Sequence, residues 1–94
     1  MTGQLKGMHL IFSGVVQGVG FRWHVERVAK KFELKGYVKN LIDGTVEAYV
    51  EGDLSSLNGF FDDVKIGPRI SHVAGIKTDW REFTGDYKDF RIEL

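Results

Sequence analysis

Apolar residues in this chain switch back and forth between a period of two and one of about 3.6, and that alternation restricts the fold most. Met8, Leu10 and Phe12 alternate with other residues, so 8–15 reads as a strand. Phe21, Val25, Val28, Ala29 and Phe32 then share one face of a helix over 21–32. Gly36 ends that helical region, and 36–41 reads as a second strand. Asp43-Gly44 is a hairpin turn signal before a third strand over 45–51. There Val46, Ala48 and Val50 form one face, and Thr45, Glu47, Tyr49 and Glu51 form the other. Asp53 or Ser55 caps a second helix with Leu54, Leu57, Phe61 and Val64 as its stripe, stopped by Gly67-Pro68. A fourth strand over 70–80 is expected to bulge, because Val73 and Ile76 differ in parity. After a turn at Thr84-Gly85-Asp86, Phe90, Ile92 and Leu94 supply the inward face of a short last strand.

A βαββαβ order with an extra strand predicts an α+β fold. The expected form is a ferredoxin-like split-βαβ sandwich, with two helices on one face of an antiparallel sheet. Right-handed crossovers fix most of the topology, and strand two is parallel to strand one. With strand three between them, those two strands stand roughly 10 Å apart. Residues 1–7 read as a short lead-in and 8–94 as a single domain.

The most informative run lies between strand one and helix one: Gly14-Val-Val-Gln-Gly-Val-Gly-Phe-Arg22. Gly18 and Gly20 allow a sharp turn that gathers backbone N–H groups at one point. The helix start adds more unpaired N–H groups and the positive end of its dipole. Arg22 stands in that first turn, where a cation is disfavoured unless an anion lies between. The run therefore reads as a phosphate cradle closed by a guanidinium fork. Parallel strand two returns to the same sheet edge, and its last polar residue before the turn is Asn40. Arg22 and Asn40 are thus expected to face one substrate from two sides.

Gly18-x-Gly20 alone is a weak signal that more often marks a plain β–α turn. A dinucleotide fingerprint fails because Trp23 occupies the third glycine position, and a triphosphate loop fails for want of Gly-Lys-Ser/Thr. Thirteen basic (Lys, Arg) and thirteen acidic (Asp, Glu) residues cancel, so no global field draws nucleic acid or an anionic membrane. Strand three lacks the basic and aromatic pattern that stacks RNA bases. Cysteine is absent, which removes disulfides, thiolate zinc sites and a thiol nucleophile. His9, His24 and His72 lack metal-ligand spacing, so no metal is expected. His24 falls with Glu26, Arg27, Lys30 and Lys31 on what reads as a solvated helix face, while Trp23 and Tyr37 are candidates either for the pocket mouth or for ordinary rim and core packing. With no signal peptide and no apolar run of membrane-spanning length, the expectation is a soluble, cytoplasmic monomer.

Two segments together resemble the acylphosphatase family. Its first signature, Gly-x-Val-Gln-Gly-Val-x-Phe-Arg, is met by Gly14, Val16, Gln17, Gly18, Val19, Phe21 and Arg22. Its second is met by Gly36-Tyr37-Val38-Lys39-Asn40 followed by Gly44, Val46 and Gly52. Gly67-Pro68 and Phe90-x-Ile92 fit as well, while Phe12 stands where the family usually has an aliphatic residue. The resemblance implies hydrolysis of a small acyl phosphate to carboxylate and inorganic phosphate, with neither metal nor cofactor. It maps the catalytic arginine onto Arg22 and the water-orienting asparagine onto Asn40. The phosphate-binding loop maps onto Val16, Gln17, Gly18, Val19, Gly20 and Phe21. A non-catalytic anion-binding module, like the acylphosphatase-like domain that opens larger carbamoyl-transfer maturation proteins, is the alternative.

Overall fold

A computed structural model describes residues 3–94. The chain forms β1 (Leu5–Val15), α1 (Phe21–Lys31), β2 (Lys35–Asn40), β3 (Val46–Asp53), α2 (Leu54–Val64), β4 (His72–Arg81) and β5 (Phe90–Glu93). Strand β1 starts earlier than its apolar alternation indicates. Leu5, Lys6 and Gly7, expected in the lead-in, pair with Asp53, Gly52 and Glu51 of β3. Met1 and Thr2 lie outside the described residues.

The sheet order is β4-β1-β3-β2-β5. β3 pairs antiparallel with both β1 and β2, so β1 and β2 run the same way with one strand between them. The sheet is mixed rather than antiparallel throughout, because β5 pairs with β2 in parallel. That pairing follows from the long 82–89 connection, which leaves one sheet edge and reaches the other across the face opposite the helices. On its way Thr84 and Gly85 bond Glu51 of β3, and Asp89 accepts from the Gly36 N–H of β2. Glu51 is consequently only 2% exposed, although it lies on the outward face of β3.

Helices α1 and α2 cover the other face. Leu10, Phe12, Val25, Val38, Val46, Ala48, Val50, Leu57 and Phe60 are fully buried there. Each such aliphatic or aromatic side chain contributes about 1.5–3 kcal/mol on burial, and the small Ala48 less. In α2 the fully buried aromatic is Phe60, while Phe61 is only partly covered. Both satisfy helical spacing from Leu57, and the approach of α1 decides between them.

Helix ends also differ from expectation. α1 ends at Lys31 and is closed by Glu33, not Gly36: Glu33 adopts φ 58, its N–H bonds the Lys30 carbonyl and the Leu34 N–H bonds that of Ala29. This double closure satisfies carbonyls that the helix end leaves free. Gly36 serves β2 instead, since a Cβ there would collide with the Tyr49 carbonyl on β3. Asp53 caps α2 by accepting from the Ser55 N–H, and the helix ends at Val64, before Gly67-Pro68. The expected bulge in β4 is present. Ser13 pairs with Gly75 and Gly14 with Val73, leaving Ala74 as the extra residue. At the C-terminus Phe90 is buried and Ile92 partly so, whereas Leu94 is fully exposed rather than inward.

Candidate active site

The β1–α1 loop is held from below by its apolar residues. Val16 and Phe21 are each 1% exposed, and Phe21 meets Phe12 edge-on with ring centroids 4.9 Å apart. Gln17 ties the loop sideways: its Nε2 donates to the carbonyls of Leu41 and Thr45, both at 2.8 Å. Val19 packs partly buried against the core. Gln17 and Val19 are thus scaffold in their side chains, and neither lines the cavity above the loop.

Gly18 and Gly20 adopt φ 75 and φ 77, the left-handed region in which a Cβ is strained. Gly20 is also the residue preceding α1, so no side chain caps the helix and no acidic residue sits in its first turn. The leading N–H groups of α1 therefore remain available to a ligand, with the positive end of the helix dipole behind them.

A cavity of about 240 Å³ opens over this loop, lined by Val16, Gly18, Gly20, Phe21, Arg22, Trp23 and Asn40. Arg22 and Asn40 meet there as the parallel run of β1 and β2 requires. Asn40 shares the helix-facing side of β2 with buried Val38. Its Oδ1 is buried and accepts no hydrogen bond from any described residue. A buried acceptor without a donor costs about 1–3 kcal/mol, which a hydrogen-bonding ligand relieves. Arg22 donates from Nη1 to the Glu93 main-chain carbonyl at 3.2 Å, leaving other guanidinium donors for the cavity. That brace had no sequence signal, because every residue carries a carbonyl. It arises because β5, parallel to β2, ends at the same sheet edge.

Two expectations about neighbours are corrected. Tyr37 lies on the opposite face of the sheet, where it stacks with Tyr49 and meets Tyr87. His24 is not solvated. It is 9% exposed, its ring 5.6 Å from Phe21, and Nε2 donates to the Val64 carbonyl at 3.1 Å. Burial holds its pKa below the usual histidine value; Arg27 lowers it further, and the Val64 bond and Asp63 only partly compensate. Trp23 does line the cavity mouth. Among the described residues no three His, Cys, Asp or Glu side chains converge to hold a metal, and no helix is long and apolar enough to cross a membrane.

Comparison with known proteins places this geometry. The acylphosphatase family model matches residues 8–92. An acylphosphatase of Caldanaerobacter subterraneus subsp. tengcongensis is 42% identical over 87 residues, covering 93% of this chain and 97% of the relative. The crystal structure of acylphosphatase from Bacillus subtilis superposes with a TM-score of 0.91 at 37% identity, covering 97% of this chain and all of that one. Full-length HypF, in its phosphate- and nucleotide-bound form, superposes with a TM-score of 0.87 at 31% identity, and there the match spans 12% of the longer chain. By sequence and by fold, this chain belongs to the acylphosphatase family.

Proposed function

We propose that this chain hydrolyses small acyl phosphates to carboxylate and inorganic phosphate, with Arg22 and the 16–21 loop holding the phosphoryl group and Asn40 orienting the water. The observation that carries the reading is the buried, unpartnered Oδ1 of Asn40 facing the same cavity as Arg22 and the open start of α1. An acceptor in that place suits a water proton, while the N–H groups and guanidinium suit phosphoryl oxygens.

The water oxygen attacks phosphorus in line as the bond from phosphorus to the acyl oxygen breaks. Its electron pair leaves with the carboxylate, a leaving group good enough to need no protein acid. The water proton passes to a phosphoryl oxygen of the substrate, so the phosphate is released protonated. Such a loose transition state asks for positioning and charge stabilisation, the two things backbone N–H groups, a guanidinium and a carboxamide provide. No protein nucleophile takes part. The reading carries with it a single domain that works as a cytoplasmic monomer.

The HypF likeness keeps a second reading in view, an anion-binding module without turnover. Release of inorganic phosphate from acetyl phosphate by the purified chain separates the two. Turnover lost in Arg22→Ala supports the hydrolase, and phosphate binding without turnover supports the module.

A further inference from the structure

We propose that the Trp23 indole is the platform for the acyl group and makes the site favour acyl phosphates whose acyl part is flat and apolar. This rests on the hydrolase reading above and names the substrate class of the same site. With the phosphoryl group in the cradle and water on the Asn40 side, in-line attack sends the acyl oxygen away from the water. The acyl group therefore projects toward the cavity mouth.

Few lining residues can meet it there. Gly18 and Gly20 have no side chain, and Val16 and Phe21, each 1% exposed, are walls already spent on the core. Arg22 and Asn40 are polar. Trp23 is 70% exposed and has no ring or cation partner among the described residues. Its place in the first turn of α1, directly after Arg22, sets an unpartnered aromatic face beside the anion cradle. A flat apolar acyl group covers that face and removes it from water, which a methyl group does poorly.

The test compares benzoyl phosphate with acetyl phosphate for the wild-type chain, Trp23→Ala and Trp23→Phe. Trp23→Ala is expected to cut kcat/KM for benzoyl phosphate by about fivefold to tenfold, chiefly through KM, and for acetyl phosphate by less than about twofold. Trp23→Phe keeps most of the benzoyl preference, because a phenyl ring still stacks. Equal losses on both substrates, or an unchanged benzoyl-to-acetyl ratio, overturn the proposal while leaving the hydrolase reading intact. A wild-type chain that hydrolyses neither overturns both. Trp23 is too exposed for its loss to endanger folding.

Discussion

Arg22 and Glu93 are joined by a single hydrogen bond, from the guanidinium Nη1 to a main-chain carbonyl 3.2 Å away. The contact links the first turn of α1 to the end of β5, and it spends one donor to aim the rest. Lysine carries the same charge as a point, with no planar fork to brace on one side and bind on the other.

Arg22→Lys is therefore expected to lose about 100-fold or more in kcat/KM for acetyl phosphate, the scale of losing a preorganised donor at a developing charge. Arg22→Ala is expected to lose at least as much, with the melting temperature little changed because the side chain lies outside the core. Steady-state kinetics beside a circular-dichroism melt check both halves. Near-wild-type turnover in Arg22→Lys would remove the assigned role.

Asn40 sits at the end of β2, and its carboxamide is assigned to water rather than to phosphate. Asn40→Ala is expected to lower kcat by about 100-fold, the scale of losing aligned attack. Inhibition by inorganic phosphate is expected to weaken by no more than about threefold. An inhibition constant that rises as steeply as kcat falls would make Asn40 a ligand of the anion instead.

Side chains at set register positions were legible in the sequence, and contacts made by backbone or by long connections were not. Val46, Ala48 and Val50 are buried as their alternation indicates. Arg22 and Asn40 share a cavity because the crossover through α1 returns the chain and leaves β2 parallel to β1. Tyr49 and Glu51 look outward by the same alternation, yet the 82–89 connection covers them. Its course depends on β5 pairing beside β2, and nothing within 84–86 encodes that choice. His24 departs from its expected exposure for a related reason. Charged neighbours in sequence mark a polar helix face, but α2 packs where His24 emerges and offers the Val64 carbonyl as its partner.

The Glu51 carboxylate fastens that connection. It accepts from the Tyr49 hydroxyl and the Thr84 hydroxyl at 2.6 Å each, and from the N–H groups of Thr84 at 2.9 Å and Gly85 at 3.1 Å. Burial raises its pKa, but these bonds together outweigh burial and hold it below the usual glutamate value. Glu51→Ala leaves several covered donors unmatched and is expected to cost about 3 kcal/mol in urea unfolding. The folded pKa being depressed, this contribution is present above the ordinary glutamate range and is lost as pH falls below it. A Glu51→Ala melting temperature equal to that of the wild type would show the connection to be held by other contacts.

His24 sets a second window, at higher pH. Its folded pKa lies below the ordinary histidine value of about 6.5, so the unfolded chain takes up a proton more readily than the folded one. Stability from His24 is complete above about pH 6.5 and falls as pH drops through that value, levelling below the folded pKa. Melting temperatures taken from pH 7.5 down to 5 are expected to decline, and His24→Gln to decline less. An equal slope in both proteins would place the titration elsewhere.

That acid sensitivity belongs to folding, and the reaction itself is expected to be indifferent to the same pH range. The groups placed around the substrate are backbone N–H, the Arg22 guanidinium and the Asn40 carboxamide, none of which titrates between about pH 5 and 8. None of the three histidines lines the cavity. His9 pairs with Glu47 at 2.7 Å, and His24 is occupied with Val64. With protein stability maintained, kcat for acetyl phosphate is expected to vary by less than about twofold across that range, while KM follows the ionisation of phosphoryl oxygens. Measuring kcat at a temperature well below the melt at each pH keeps the two effects apart. A kcat limb near pH 6.5 that persists there, and disappears in His24→Gln or a His72 variant, would reveal a protein base and overturn a mechanism in which the substrate takes the water's proton.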